Sequence, residues 1–248
     1  MSEWITGRNP VYEALSARRR QVFRLRLAQG VQEKGRLEQI LTLASQRKLP
    51  VERVPRAQLG ALDPGNQGVA LQAGGYPYCE PDDILAQAGR RGELPLVLIL
   101  DALQDPQNLG TLLRTAEAVG VHGVLLPFRR TATVTPAVVS ASSGASEHLL
   151  IAQTNLAQAI ARLKEAGLWI VGLEGGPQGQ PPEQIRLDGP LALVVGNEGQ
   201  GMRRLVAESC DLLLRLPMRG AIDSLNAAVA GSVALYLAWQ ARGYQGGR

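Results

Sequence analysis

Cysteine is nearly missing from this chain: Cys79 and Cys210 are the only two in 248 residues. Two scattered thiols exclude a disulfide framework, and with only His122 and His148 beside them they leave no set of zinc ligands. Metal catalysis is therefore not expected, and a reducing cytoplasm is the natural setting. No stretch reaches the roughly 18 uninterrupted apolar residues of a membrane span. The amino terminus also lacks the charged-then-apolar pattern of a secretory signal, so a soluble protein with no membrane partner is expected. The P-loop ending G-K-[ST] is absent, and no glycine-rich segment has the G-x-G-x-x-G order of a dinucleotide site. Lysine is scarce, with Arg supplying 23 of the 26 cations.

What is present is uneven charge and regular punctuation. Residues 1–74 hold twelve Lys and Arg against six Asp and Glu, a net +6, whereas the remainder carries a net −2. Positive charge confined to one end suits the docking of a polyanion there. Within 4–74, helix-like patterns at 10–17 and 33–47 alternate with short strands at 23–27, 51–54 and 68–72, the pattern of a small α/β domain. A linker follows over 75–93, with helical character at 82–88. From 94 to 248 strands expected at 96–100, 123–126, 147–151, 169–173, 191–195 and 212–216 alternate with helices, which predicts a parallel sheet covered on both faces. The fold class is α/β, in two domains.

Three strand–loop–helix junctions carry the chemistry. After the apolar run 96–100 comes Asp105-Pro106-Gln107-Asn108-Leu109-Gly110-Thr111-Leu112-Leu113-Arg114, where Asn108 suits a helix cap and Arg114 lies off the apolar stripe of Leu109, Leu112, Leu113 and Ala116. After 191–195 comes Gly196-Asn197-Glu198-Gly199-Gln200-Gly201, a loop in which backbone can approach a ligand closely. Its glutamate is unsuited to binding phosphate. The third junction, Leu216-Pro217-Met218 then Ser224-Leu225-Asn226, opens an apolar helix whose free N–H groups face outward, with Asp223 or Ser224 as its expected cap. Arg129 and Arg130, with the hydroxyls of 131–135, form a loop suited to RNA phosphates. The small residues 140–145 suggest close backbone packing near a site. A turn-rich loop at 175–182 has Leu173 and Glu174 at its mouth.

Together the three junctions resemble the three motifs of the SpoU/TrmH family of RNA ribose 2′-O-methyltransferases. The family's N-x-G-x-x-x-R stands here as Asn108, Gly110 and Arg114, its G-x-E-x-x-G as Gly196, Glu198 and Gly201, and its L-P-M with S-L-N as Leu216-Pro217-Met218 with Ser224-Leu225-Asn226. The opening 3–15 is similar to the start of the family's substrate-binding domain. The resemblance implies an L30e-like RNA-binding domain at 1–74 and a SPOUT domain at 94–248 whose parallel sheet closes in a deep trefoil knot. Knots are otherwise close to absent, so no periodicity reaches that conclusion. It implies S-adenosylmethionine as cofactor, with Leu173, Gly196, Leu216, Met218 and Leu225 around it. It places Arg114, Asn108, Glu198, Ser224 and Asn226 at the catalytic centre. It further implies a homodimer and, among members with a long amino-terminal domain, a guanosine of 23S rRNA as target. Methylation of tRNA, or of another rRNA site, is the alternative within the family. A non-catalytic RNA-binding protein would have lost a motif residue, and none is lost. A Rossmann oxidoreductase is disfavoured by the glycine order and by the lack of an acid after a second strand.

Overall fold

The computed structural model describes residues 2–221 and 224–247, so the expected cap Asp223 lies outside the described residues. Along the chain run β1 (Ser2–Thr6), α1 (Arg8–Ala17), β2 (Val22–Ala28), α2 (Arg36–Gln46), β3 (Val51–Val54), α3 (Arg56–Gly60), β4 (Val69–Gly74), α4 (Pro81–Arg91) and β5 (Leu96–Leu100). Then follow α5 (Pro106–Ala118), β6 (Gly123–Pro127), α6 (Pro136–Ala141), β7 (Ile151–Thr154), α7 (Leu156–Glu165), β8 (Trp169–Leu173), β9 (Leu191–Val195), α8 (Arg204–Glu208), β10 (Leu212–Leu214) and α9 (Ala227–Ala241). They fall into two compact units. One takes in the chain up to Pro77 together with Thr133–His148; the other takes in Tyr78–Ala132 and the chain from Leu149 on.

The first unit is a four-stranded sheet in the order β1-β4-β2-β3, with β2 and β3 parallel and the other pairs antiparallel. The edge strand β1 has no counterpart among the expected strands, because two apolar residues in five give little alternation to read. Its period-2 geometry buries Ile5 and leaves Trp4 on the opposite face, with the guanidiniums of Arg24 and Arg26 5.6 and 4.6 Å from its ring centroid.

The segment 133–148 sits in this unit, although its sequence reads as part of the carboxyl-terminal domain. A buried ion pair holds it. Arg20 donates to both carboxylate oxygens of Glu147 (2.7 and 3.0 Å), to Glu3, and to the Gly74 carbonyl at 3.0 Å. That pairing corrects the strand expected at 147–151. Residues Ala145–His148 form a turn of 3₁₀ helix around Glu147, and the strand begins only at Ile151, where pairing with β6 starts. The small residues at 140–145 do allow close packing, but against α1. A Cβ on Gly144 (φ +87°) would lie 2.7 Å from Glu13 Cβ.

The second unit is a six-stranded, wholly parallel sheet in the order β10-β8-β9-β5-β6-β7. Its central strands are buried on both faces, so they read as continuous apolar runs. One face carries α4, α7 and α8 over a cluster that includes Ile84, Val97, Ile99, Ile160, Leu163 and Val194. The stretch read as linker therefore includes a packed helix: α4 buries Ile84 and Ala88, and its acidic first turn and basic last turn both suit the helix dipole. On the other face α5 packs against α9, with the hydroxyls of Thr115 and Ser232 2.9 Å apart. Among the described residues no helix is long and apolar enough to cross a membrane, and no group of three or more His, Cys, Asp or Glu could hold a metal ion.

Candidate active site

Parallel strands put their carboxyl ends on one edge, and in open α/β sheets ligands bind beyond that edge. Here the ends of β8, β9 and β10 open onto a cavity of about 1000 Å³. Leu173 comes from the end of β8, Gly196 and Glu198 from the loop after β9, and Leu216, Met218, Ser224 and Leu225 from the segment between β10 and α9. All five residues expected around the cofactor therefore line one cavity. Its walls are mixed, leucines and Met218 on one hand and the backbone of a glycine-rich loop on the other.

At its rim the three motifs meet. Asn108 Nδ2 donates to Glu198 Oε1 at 2.7 Å, and Asn226 Nδ2 donates to the same oxygen and to Asn108 Oδ1 at 3.0 Å. One carboxylate oxygen thus takes two amide protons from residues 118 positions apart in sequence. The expected caps differ from those observed. Asp105 caps α5, accepting from the N–H groups of Gln107 (3.0 Å) and Asn108 (3.4 Å), with Pro106 behind it at the first helical position. Asp105 therefore relieves Asn108 of that task and leaves its side chain for Glu198. At α9 the cap is Asn226, not Ser224: Asn226 Oδ1 accepts from Ala228 (2.9 Å) and Val229 (3.2 Å). Its carbonyl oxygen fixes the helix while its amide nitrogen serves the network. Ser224 lines the cavity outside the network. Arg114 is exposed on α5, six residues beyond Asn108 and so roughly 9 Å further along the helix axis.

Comparison with known proteins is consistent over nearly the whole chain. The model of the SpoU rRNA methylase family matches residues 95–236, and that of the RNA 2′-O ribose methyltransferase substrate-binding domain matches residues 4–79. The chain belongs to the SpoU rRNA methylase family. A Bacillus subtilis relative assigned to the TrmH family of tRNA/rRNA methyltransferases is 42% identical over 245 residues, covering 97% of this chain and 96% of its own. Among solved structures, the AdoMet-bound rRNA methyltransferase of Sinorhizobium meliloti superposes with a TM-score of 0.80 at 26% identity, covering 96% of this chain and 87% of its own. The SpoU methyltransferase AviRb of Streptomyces viridochromogenes, in complex with AdoMet, shares the fold with a TM-score of 0.81 at 22% identity, covering 98% and 91%.

Several residues that shape the site of this SpoU methylase were not singled out by sequence. Asp101, fully buried at the end of β5, accepts from the backbone N–H of Arg203 (2.7 Å) and from its guanidinium (2.6 Å). It thereby pins the far end of the 196–203 loop. Asn197 pins the near end by donating to the Ala102 carbonyl at 3.1 Å. A charge closing an apolar run, as Asp101 does, is the signal that could have marked it. The turn-rich loop after β8 is anchored too. Gln180 donates to the Leu213 carbonyl at 2.7 Å and Glu174 to that of Leu214 at 3.0 Å, which holds Glu174 and Pro181 in the cavity wall. Behind the glycine loop, burial and then Asp211 push the Cys210 thiol up to about 11, so it stays protonated and inert.

Proposed function

We propose that this chain transfers a methyl group from S-adenosylmethionine to the 2′-hydroxyl of a guanosine ribose in 23S rRNA. The observation that carries the reading is the meeting of Asn108, Glu198 and Asn226 at the mouth of a cavity lined by Leu173, Gly196, Leu216, Met218 and Leu225. The cavity suits the cofactor. Leucine side chains and a glycine loop accept an apolar, planar base, and the Glu198 carboxylate favours a cationic group over a phosphate. When bound, the cofactor supplies an electrophilic methyl group on a positively charged sulfur.

The residues of the chain then have distinct tasks. Asn108 and Asn226 fix Glu198, and Glu198 with Ser224 shapes the side of the cavity where the ribose enters. The ribose oxygen gains the methyl group and loses its proton, a transfer that the family assigns to Arg114. A guanidinium is protonated at neutral pH and accepts nothing. Arg114 therefore acts chiefly by donating N–H to the hydroxyl and the neighbouring phosphate, so that the oxygen lines up with the methyl carbon, and the proton released from the hydroxyl passes to solvent water.

A homodimer brings Arg114 to such a position. Val229, Val233 and Tyr236 form an apolar stripe at helical spacing along α9, each more than 40% exposed, on a helix that packs against α5, the helix that carries Arg114. Pairing two copies about a twofold axis covers the stripe and lets Arg114 of one protomer act at the donor pocket of the other. We further assign the amino-terminal 1–74 to an L30e-like RNA-binding domain, the 94–248 domain to the SPOUT arrangement with a deep trefoil knot, and the protein to the cytoplasm.

Purified protein with methyl-labelled cofactor and either 23S rRNA fragments or tRNA tests the target. Label is expected on a guanosine ribose of the rRNA; label on a base, or on tRNA alone, would overturn the assignment. Mixing Arg114→Ala with Asn226→Ala subunits tests the shared site, since heterodimers should regain part of the activity that each homodimer lacks.

A further inference from the structure

A second groove opens on the same carboxyl edge of the parallel sheet, at the ends of β6 and β7, with a volume of about 640 Å³. It lies two to three strand positions from β9, roughly 10–15 Å away at ordinary strand spacing. Its lining combines Arg129, Arg130, Arg203 and Arg204 with Phe128 and Leu205, and no carboxylate contributes to it. Phe128 and Leu205 are 66% and 61% exposed, unusual for large apolar side chains. Arg203 is committed to Asp101, and Arg204 faces Glu208 at 3.7 Å. Arg129 and Arg130 have no ion-pair partner among the described residues. Nothing in the methyl-transfer site uses this groove.

We propose that the groove binds an unpaired nucleotide of the substrate RNA, its base stacked on Phe128 against Leu205 and its phosphates on Arg129 and Arg130. Arg129 and Arg130, with no carboxylate in the lining to neutralise them, call for a polyanion. An exposed ring in the same groove calls for a base face, which only an unpaired or splayed nucleotide presents. Arg203 links the two sites, because it lines the groove while its backbone and guanidinium close the 196–203 loop onto Asp101. Filling the groove thus places the RNA against the element that carries Glu198.

The proposal rests on the RNA-methyltransferase reading, and its test separates the two. Binding of a fluorescein-labelled RNA hairpin with an unpaired loop is measured by anisotropy over a range of salt, beside a fully paired RNA of equal length, using the full chain. Phe128→Ala should weaken binding of the looped RNA about 5- to 100-fold, the effect of losing one stacked base, and barely change binding of the paired RNA. Arg129→Ala with Arg130→Ala should flatten the slope of log affinity against log salt by about 1.4, at about 0.7 for each single-strand phosphate released. Cofactor binding measured by calorimetry should match the wild type in both variants, which shows that the fold is kept. Variants that bind looped RNA with the wild-type affinity and salt slope would overturn the proposal, leaving the groove to a protein partner. A wild-type protein that binds neither RNA would instead overturn the reading beneath it.

Discussion

Replacing Gly196 by alanine tests whether the glycine loop is a fitted wall of the cavity or a flexible strap across it. A Cβ at this position would lie 2.3 Å from the carbonyl carbon of Gly201 and 2.4 Å from the nitrogen of Met202. Ordinary carbon contacts are about 3.5–4.0 Å, so the opposing backbone must retreat by more than about 1 Å. It has little room to do so. The strand side is locked by β9, and the loop is tied at both ends, by Asn197 to the Ala102 carbonyl and by Arg203 to Asp101. Asn197 and Gly201 also exchange backbone hydrogen bonds of 3.0 and 2.9 Å across the loop. Overpacking of this kind costs about 1–3 kcal/mol, or roughly 2–12 °C in melting temperature for a chain of this size. Because the displaced atoms form the cavity wall, cofactor affinity should fall by about tenfold, the equivalent of about 1.4 kcal/mol of lost contact. Gly199 provides the control. A Cβ there meets nothing nearer than Asn197 Oδ1 at 3.7 Å, so Gly199→Ala should melt within about 2 °C of the wild type. Calorimetric titration with S-adenosylmethionine and thermal denaturation read both effects. A Gly196→Ala protein that binds cofactor and melts like the wild type would refute the fitted-wall reasoning.

Two further outcomes follow from buried ionisable groups. Glu147→Gln leaves the Arg20 guanidinium buried with only Glu3 as a charged partner, which should cost about 3 kcal/mol and lower the melting temperature by roughly 6–12 °C; a change under about 2 °C would show that the pair does not hold the 133–148 segment. Burial, and then Arg91, lower the pKa of His122 below its ordinary value against the opposing pull of the Glu93 carboxylate 3.0 Å from Nε2, while its Nδ1 accepts from the Leu96 N–H at 3.0 Å. The unfolded chain takes up a proton near pH 6.5 that the folded chain refuses, so this contribution is whole above that pH and is lost as pH falls through it. The difference in stability between the wild type and His122→Asn, which keeps an acceptor for Leu96, should therefore shrink between pH 7.5 and 5.5; an unchanged difference would refute the depressed pKa.

Legibility from sequence followed the range of the interactions. Apolar runs such as Leu96–Leu100 and Leu191–Val195 set their own strands, because burial on both faces demands them and no distant partner is needed. The clustering of the motif segments was also anticipated, since each follows the carboxyl end of a parallel strand. What escaped depends on contacts far along the chain. The turn at Ala145–His148 exists because Glu147 meets Arg20, 127 residues away, and no local propensity encodes that distance. The caps failed for a different reason. Asn108 and Asp105 are both good caps, and Pro106 at the first helical position sets Asp105 as the cap, which leaves Asn108 free for Glu198.

That division of caps also explains how an exposed carboxylate can be held in one place. An isolated surface glutamate samples many rotamers, and fixing it costs side-chain entropy of about 1–2 kcal/mol. Glu198 is met by two amides whose own freedom is already spent. Asn226 is fixed because its oxygen caps α9, and Asn108 because it lies within the first turn of α5 behind the Asp105 cap. The helix ends, packed together through α5 and α9, thus carry the ordering cost that the loop alone would bear. On this argument the two helices set the position of Glu198 more firmly than its own glycine-rich loop does. Loosening either cap should therefore disturb the Glu198 side of the cavity before it disturbs the apolar side built by Leu173 and Leu216.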